Sequence, residues 1–202
     1  MSDTPFRDLL ASPGVREVCR LEGRLGFMAY HGGSLEHVTD VIADAAAAAS
    51  GASYYGVLQP EDLLWHIPSH RVSPAESPTL AGFLEHVHAV ITVHGYGRHG
   101  MWTTLLLGGQ NRRTGRSCGR LPAPGAARLH DRDGHGGHPH RAARPACGEP
   151  GEPSPPPRRA DRVAARVRGT SPIWKDWAGP GLVPHTQALI DALAAAALAW
   201  PA

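Results

Sequence analysis

The sequence predicts an α/β fold, a mostly parallel sheet flanked by helices, and three observations predict it. Apolar runs of strand length end at glycine-rich punctuation, at His31-Gly32-Gly33, His94-Gly95 and Gly108-Gly109. Stretches with helical spacing of apolar residues lie between those runs. The tail is rich in Ala and Leu and reads as one more helix. Strands alternating with helices give parallel pairing, because a parallel partner needs a crossover connection.

Taken in order, Gly26-Phe27-Met28-Ala29-Tyr30 reads as a strand ending at His31. Ser34 then reads as an N-cap, with Leu35, Val38, Val41, Ile42 and Ala45 on one helical face as far as Ser50-Gly51. Ser53-Tyr54-Tyr55-Gly56-Val57 reads as a second strand. Tyr54 and Tyr55 point to opposite faces there, one to the core and one to the site edge. Leu63-Leu64-Trp65-His66-Ile67 reads as a third strand. Leu80, Phe83, Leu84 and Val87 mark a helix that leads into the buried strand Val90-Ile91-Thr92-Val93. Thr103-Thr104-Leu105-Leu106-Leu107 reads as a further strand, and residues 183–200 as the closing helix. No internal repeat is visible.

Composition narrows the function classes. Lys+Arg is 20 against Asp+Glu 18 over 202 residues, a balance that excludes nucleic-acid binding by bulk charge. The three cysteines, Cys19, Cys118 and Cys147, are too few and scattered for a disulfide scaffold. No apolar run approaches the ~20 residues of a membrane helix, and residues 1–10 hold no signal-peptide core. The expectation is a cytoplasmic protein with no membrane partner, export being left open.

One segment stands apart. Between Arg113 and Ala165 there is no Ile, Phe, Tyr, Trp, Met or Lys, whereas ten Arg and nine Pro occur there. Leu121, Leu129 and Val163 are its only large aliphatics, so it cannot bury enough apolar surface to offset its ordering entropy. The chain thus divides into residues 1–112, a fold-like first part, residues 113–165, expected to be disordered, and residues 166–202, a helical tail of the same domain. His130, His135, His138 and His140 fall in the anomalous part with no zinc spacing around them, and its arginines read as solvated charge.

Chemistry concentrates at the strand ends. In open α/β sheets ligands bind at the carboxyl edge, where His31 and His94 stand, and Glu36 lies about one turn into the following helix. Two His and a Glu form the three-ligand set of a catalytic zinc site. The plainer alternative is a turn with satisfied imidazoles and a Glu complementing a helix dipole. His66 and His70 read as structural, as do Trp174 and Trp177.

Four short motifs in fixed order carry a resemblance: Tyr30-His31-Gly32-Gly33-Ser34-Leu35-Glu36, Ser53-Tyr54-Tyr55-Gly56, Val93-His94-Gly95-Tyr96-Gly97 and Leu107-Gly108-Gly109-Gln110-Asn111-Arg112. In that order they resemble the poly-γ-glutamate hydrolase family, whose members often carry the label phage-related replication protein. The resemblance spans residues 1–112 and resumes at Arg166-Val167-Arg168-Gly169. It implies a zinc-carboxypeptidase-like fold, a zinc cofactor held by His31, Glu36 and His94, and hydrolysis of γ-glutamyl amide bonds by an activated water. Asn111 and Arg112 become candidates to bind the carboxylates of an anionic γ-glutamyl polymer or peptide, the planar Arg fork being suited to that task. A surface Arg ending a strand is the alternative there. Nothing in these residues gives the replication label a mechanism.

The chain departs from the family at one place. The family has a Glu on a late strand, in a segment like Gly-Val-Gln-(Ile/Leu)-Glu-Leu, to take the water's proton. Residues 159–165 here are Arg-Ala-Asp-Arg-Val-Ala-Ala, with Asp161 the only nearby acid and no catalytic base assignable. Back-translated with free wobble bases and read one base later, their codons permit Val-Gln-Ile-Glu-Leu-Pro-Pro, the Glu straddling the codons of Arg162 and Val163. The codons of residues 128–133 and 149–153 likewise permit family-like strand segments in the same shifted frame. The sequence therefore reads as a frameshifted segment with disrupted late strands inside a zinc hydrolase. Its alternatives are a non-catalytic remnant that binds metal or polyanion, and a zinc amidase acting on cell-wall peptides.

Overall fold

The computed structural model describes residues 4–96, 105–107, 129–130, 158–164 and 178–201. Its elements run α1 (Pro5–Leu10), β1 (Arg16–Arg20), β2 (Leu25–Gly33), α2 (Thr39–Ser50), β3 (Ser53–Gln59) and α3 (Pro78–His86). Then follow β4 (Ala89–Tyr96), β5 (Leu105–Leu107), β6 (Leu129–His130), β7 (Arg158–Ala164) and α4 (Pro184–Leu198). The sheet order is β1-β3-β2-β4-β7-β5-β6. β3, β2, β4 and β7 run parallel to one another, as do β5 and β6, while β1–β3 and β5–β7 are antiparallel. The expected mostly parallel α/β sheet is what the chain forms. Among the described residues no helix is long and apolar enough to cross a membrane.

Alternation along the central strands divides the core into two layers. Phe27, Ala29, Ile91 and Val93 turn to one face of the sheet, against Ile42, Ala43, Ala46 and Ala47 of α2 and Ile190 and Leu193 of α4. Met28, Tyr55, Val57 and Val90 turn to the other, against Phe6 and Leu9 of α1 and Leu80, Phe83 and Leu84 of α3. Each such large side chain contributes about 1.5–3 kcal/mol by leaving water. The alanines of α2 let that helix approach the sheet closely, and Ser77 caps α3 by accepting from the Leu80 amide.

Four expectations change. Tyr54 and Tyr55 are both buried, on opposite faces, so neither edges the site; Tyr55 donates to Glu17 at 2.6 Å. Leu63-Leu64-Trp65-His66-Ile67 forms no strand, because β1 rather than this segment pairs with the outer side of β3. α2 starts at Thr39 instead of just after Ser34, because Gly32 and Gly33 continue β2 and a turn intervenes. Finally, within residues 113–165, where no strand was expected, β6 and β7 pair into the sheet. Ladder hydrogen bonds are made by backbone alone, and β4 offers an unpaired edge that an extended segment of any composition can take. The remainder of that segment lies outside the described residues, as do Asn111, Arg112, Cys118, Cys147, Trp174 and Trp177.

Candidate metal centre

β2 and β4 are adjacent and parallel, with Met28 beside Thr92, so His31 and His94 emerge at the same edge of the sheet. β2 is paired on both sides, which fixes His31 at the middle of that edge. The β2–β3 register runs Ala29 to Gly56 and then Gly32 to Leu58, so Tyr30 and His31 together oppose Val57. Such a bulge bends the strand and re-aims a side chain, a device common beside functional sites.

Beyond the bulge the chain folds back sharply. Gly33 has φ +70°, and the Ser34 amide donates to the Gln59 carbonyl at 3.1 Å. The Glu36 amide then donates to the His31 carbonyl at 2.9 Å, closing the turn that points Glu36 back at the strand end. Glu36 therefore acts from a turn ahead of α2 and not from one turn inside it. Val38 follows with φ 71°, a left-handed conformation that costs a β-branched residue of order 1–3 kcal/mol. Thr39 offsets that strain by donating both its amide, at 3.2 Å, and its hydroxyl, at 2.7 Å, to the Glu36 carbonyl.

The three side chains read from the sequence meet. Glu36 Oε1 lies 3.1 Å from His31 Nδ1, and Glu36 Oε2 lies 3.4 Å from His94 Nδ1. The Gly95 amide donates to Oε2 at 2.8 Å. His31 and His94 are buried, and the Glu36 side chain is 14% exposed. Burial alone raises the Glu36 carboxyl, but the hydrogen bonds and charge of His31 and His94 outweigh it and hold it at about 2. Tyr30 packs edge-on against both imidazoles, 4.6 Å from His31 and 4.8 Å from His94, and its hydroxyl bonds Ser69 at 2.6 Å.

The donors fit a divalent cation. The Ile67 carbonyl, 2.8 Å from His31 Nε2, can only accept, so His31 carries its proton there. The other nitrogen, Nδ1, faces Glu36 Oε1 at 3.1 Å, donating a proton when His31 is charged and offering a bare lone pair when it is not. Two acceptors at that separation repel unless a proton or cation lies between them. Two imidazoles and a carboxylate are the donor set that zinc-like cations take, and a carbonyl behind the ligating imidazole is its usual support.

Sequence reasoning set aside one further residue. Donor atoms of His31, Glu36 and His66 all lie within 4.8 Å of one another, a group that does not include His94, whose link to it is through Glu36 Oε2 at 3.4 Å; the His66 ring centroid is 4.7 Å from that of His31. His70 is exposed and stands outside that group. His66 follows no ligand spacing; only the folding of the loop after β3 over the edge brings it to the centre. On the other side of His94, the β4–β7 register sets Arg162 directly opposite it, and Val93 opposite Asp161.

Comparison with known proteins bears on the fold and the family. No curated protein matches the chain. Among solved structures, a bacteriophage poly-gamma-glutamate hydrolase superposes with a TM-score of 0.62 at 12% identity, covering 92% of this chain and 89% of that one. YNDL in an apo, zinc-free form superposes with a TM-score of 0.61 at 17% identity, covering 90% and 88%. At such identities the likeness establishes the shared fold. A sequence model described as poly-gamma-glutamate hydrolase matches residues 10–126, more than half of the 202 residues. With that match on the same strands that carry His31, Glu36 and His94, the chain belongs to the poly-gamma-glutamate hydrolase family.

Proposed function

We propose that this chain is built as a zinc-dependent hydrolase of γ-glutamyl amide bonds, acting on poly-γ-glutamate or a related anionic peptide, and that as encoded here it is impaired. The observation that carries the reading is the Glu36 carboxylate held between the Nδ1 atoms of His31 and His94 in a chain of this family. His31, Glu36 and His94 hold the cation. Bound there, zinc supplies a Lewis acid that polarises the scissile carbonyl and makes water a nucleophile at neutral pH.

The chain's own residues set up that chemistry. The Ile67 carbonyl fixes the His31 tautomer, and the Gly95 amide orients the second oxygen of Glu36. Tyr30 packs edge-on against both imidazoles and buttresses them. Asn111 and Arg112, at the end of the segment after β5, take carboxylates of the substrate, one of which recurs in every unit of the polymer.

Hydrolysis also needs a carboxylate to accept the proton of water. The β7 residue in register with His94 is Arg162, and no carboxylate stands at that position of the sequence. In the shifted frame that position falls on the Glu whose codon straddles Arg162 and Val163. The family match ends at residue 126, inside the Arg/Pro-rich segment. Arg162 at that position supports a change of reading frame between about Arg113 and Ala165. Arg162 also favours a second reading, a metal- or polyanion-binding remnant without turnover.

The test compares the encoded chain with one expressed after restoring the frame across those codons, each supplied with zinc and poly-γ-glutamate. The restored chain is expected to shorten the polymer, with the encoded chain ~10²–10⁴ slower, the usual cost of a lost general base. E36Q in the restored chain should abolish cleavage. If both chains bind zinc and neither cleaves, the remnant reading replaces the hydrolase. If the restored chain cleaves cell-wall γ-glutamyl peptides and spares the polymer, it is a zinc amidase.

A further inference from the structure

We infer that His66 is a fourth protein ligand of this centre, closing it from the solvent side; the inference rests on His31, Glu36 and His94 forming a metal site. The first ground is proximity. His66 offers a nitrogen within 4.8 Å of donor atoms on both His31 and Glu36, with its ring 4.7 Å from the His31 ring and tilted 44° to it.

The second ground is that the position is built. His66 lies in a stretch with no helix or strand, yet the residues on either side of it are fastened. Gln59, buried at the end of β3, grips Trp65 twice: its Nε2 donates to the Trp65 carbonyl at 3.0 Å, and its Oε1 accepts from the Trp65 amide at 2.9 Å. Ile67 is buried, and its carbonyl accepts from His31 itself at 2.8 Å. The loop is thereby tied to one ligand of the centre, and the single residue between the two ties is an exposed imidazole. Two side-chain-to-backbone bonds and an anchored neighbour hold that imidazole where a cation would meet it.

The third ground is the contrast in burial. His31 and His94 are buried and Glu36 nearly so, whereas His66 is exposed and attached to a segment without regular structure. Four protein ligands make a closed site, whereas three leave a position for substrate chemistry. His66 is the ligand able to leave. The resting centre holds its cation through four donors, and substrate must displace His66 to reach it.

The experiment loads the full chain with cobalt(II), records its visible absorption, and measures zinc affinity by competition with a chromophoric chelator. Wild type is compared with H66A, H66Q and H70A, the last altering an exposed histidine outside the group. Loss of His66 is expected to weaken zinc binding at least as much as loss of a supporting partner, about 10–100-fold. It should also change the cobalt spectrum, while H70A matches wild type in both. One equivalent of metal bound by H66A and H66Q with wild-type affinity and spectrum overturns the role of His66 and leaves the three-residue centre standing. A wild-type chain that binds no metal overturns both.

Discussion

At Glu36 two oxygens do different work: Oε1 faces His31 at 3.1 Å, while Oε2 faces His94 at 3.4 Å and takes the Gly95 amide at 2.8 Å. Its carboxyl is held at about 2, below the ordinary 4.5, so folding favours the ionised form. The sign follows from linkage: the stabilisation is complete above about 4.5 and is lost as pH falls through about 2. In the metal-free chain that loss is on the order of 3 kcal/mol. E36Q should therefore show a shallower fall in stability between pH 4.5 and 2, read from denaturant unfolding at a series of pH values. Superimposable acid profiles for E36Q and wild type would remove the carboxylate from the account. Of the residues at this centre, His31, Glu36 and His94 were legible in the sequence because motif order and the Gly after each His mark strand ends. His66 was not, because no spacing encodes a contact made by a loop folding back over a sheet edge.

The elements around the site depend on a turn that only glycine makes comfortably. Gly33 has φ +70°, and a Cβ there would press into the backbone of Gln59, whereas Gly51 has φ +65° with open space around it. G33A is expected to cost about 2–4 kcal/mol, strain and clash together, against about 1–2 for G51A. G33A should also weaken zinc binding, since the same turn aims Glu36. Equal losses in the two variants would mean that the turn can relax. The central strands were readable because β2 and β4 are continuous apolar runs, as strands buried on both faces must be. β1 was not, since Arg16-Glu17-Val18-Cys19-Arg20 is a half-exposed edge strand with few apolar residues. Leu63-Leu64-Trp65-His66-Ile67 misled for the opposite reason. Its apolar residues serve different ends: Ile67 packs under the loop, while Leu64 is 64% exposed. β7 gave no signal because its pairing is backbone pairing, blind to the Arg and Ala it carries.

For the whole molecule, a cation at this centre would tie β2, the turn before α2 and β4 together. Zinc at a hundred times its dissociation constant should add about 2.7 kcal/mol to the stability of the fold, raising Tm, and a chelator should return it. A Tm indifferent to zinc would place the cation elsewhere or nowhere. The two core layers on either side of β2 and β4 contain the aromatic and aliphatic mass of the described fold, which is why the first half of the sequence was sufficient to predict its class. The sheet beyond β4 is another matter, because β7, the strand that pairs with β4, carries Arg158, Arg159 and Arg162 in place of an apolar run. Resequencing the gene across the codons for Leu107 to Thr170 is expected to reveal one shift of frame near Arg113 and a compensating one near Ala165. A frame that stands as encoded would leave Arg162 as the native residue opposite His94. The centre itself is tested most directly by titrating the chain with zinc in a calorimeter, beside E36A. One equivalent bound by the wild-type chain and none by E36A is the predicted result. No binding by wild type, or equal binding by both, would contradict a metal centre built on His31, Glu36 and His94.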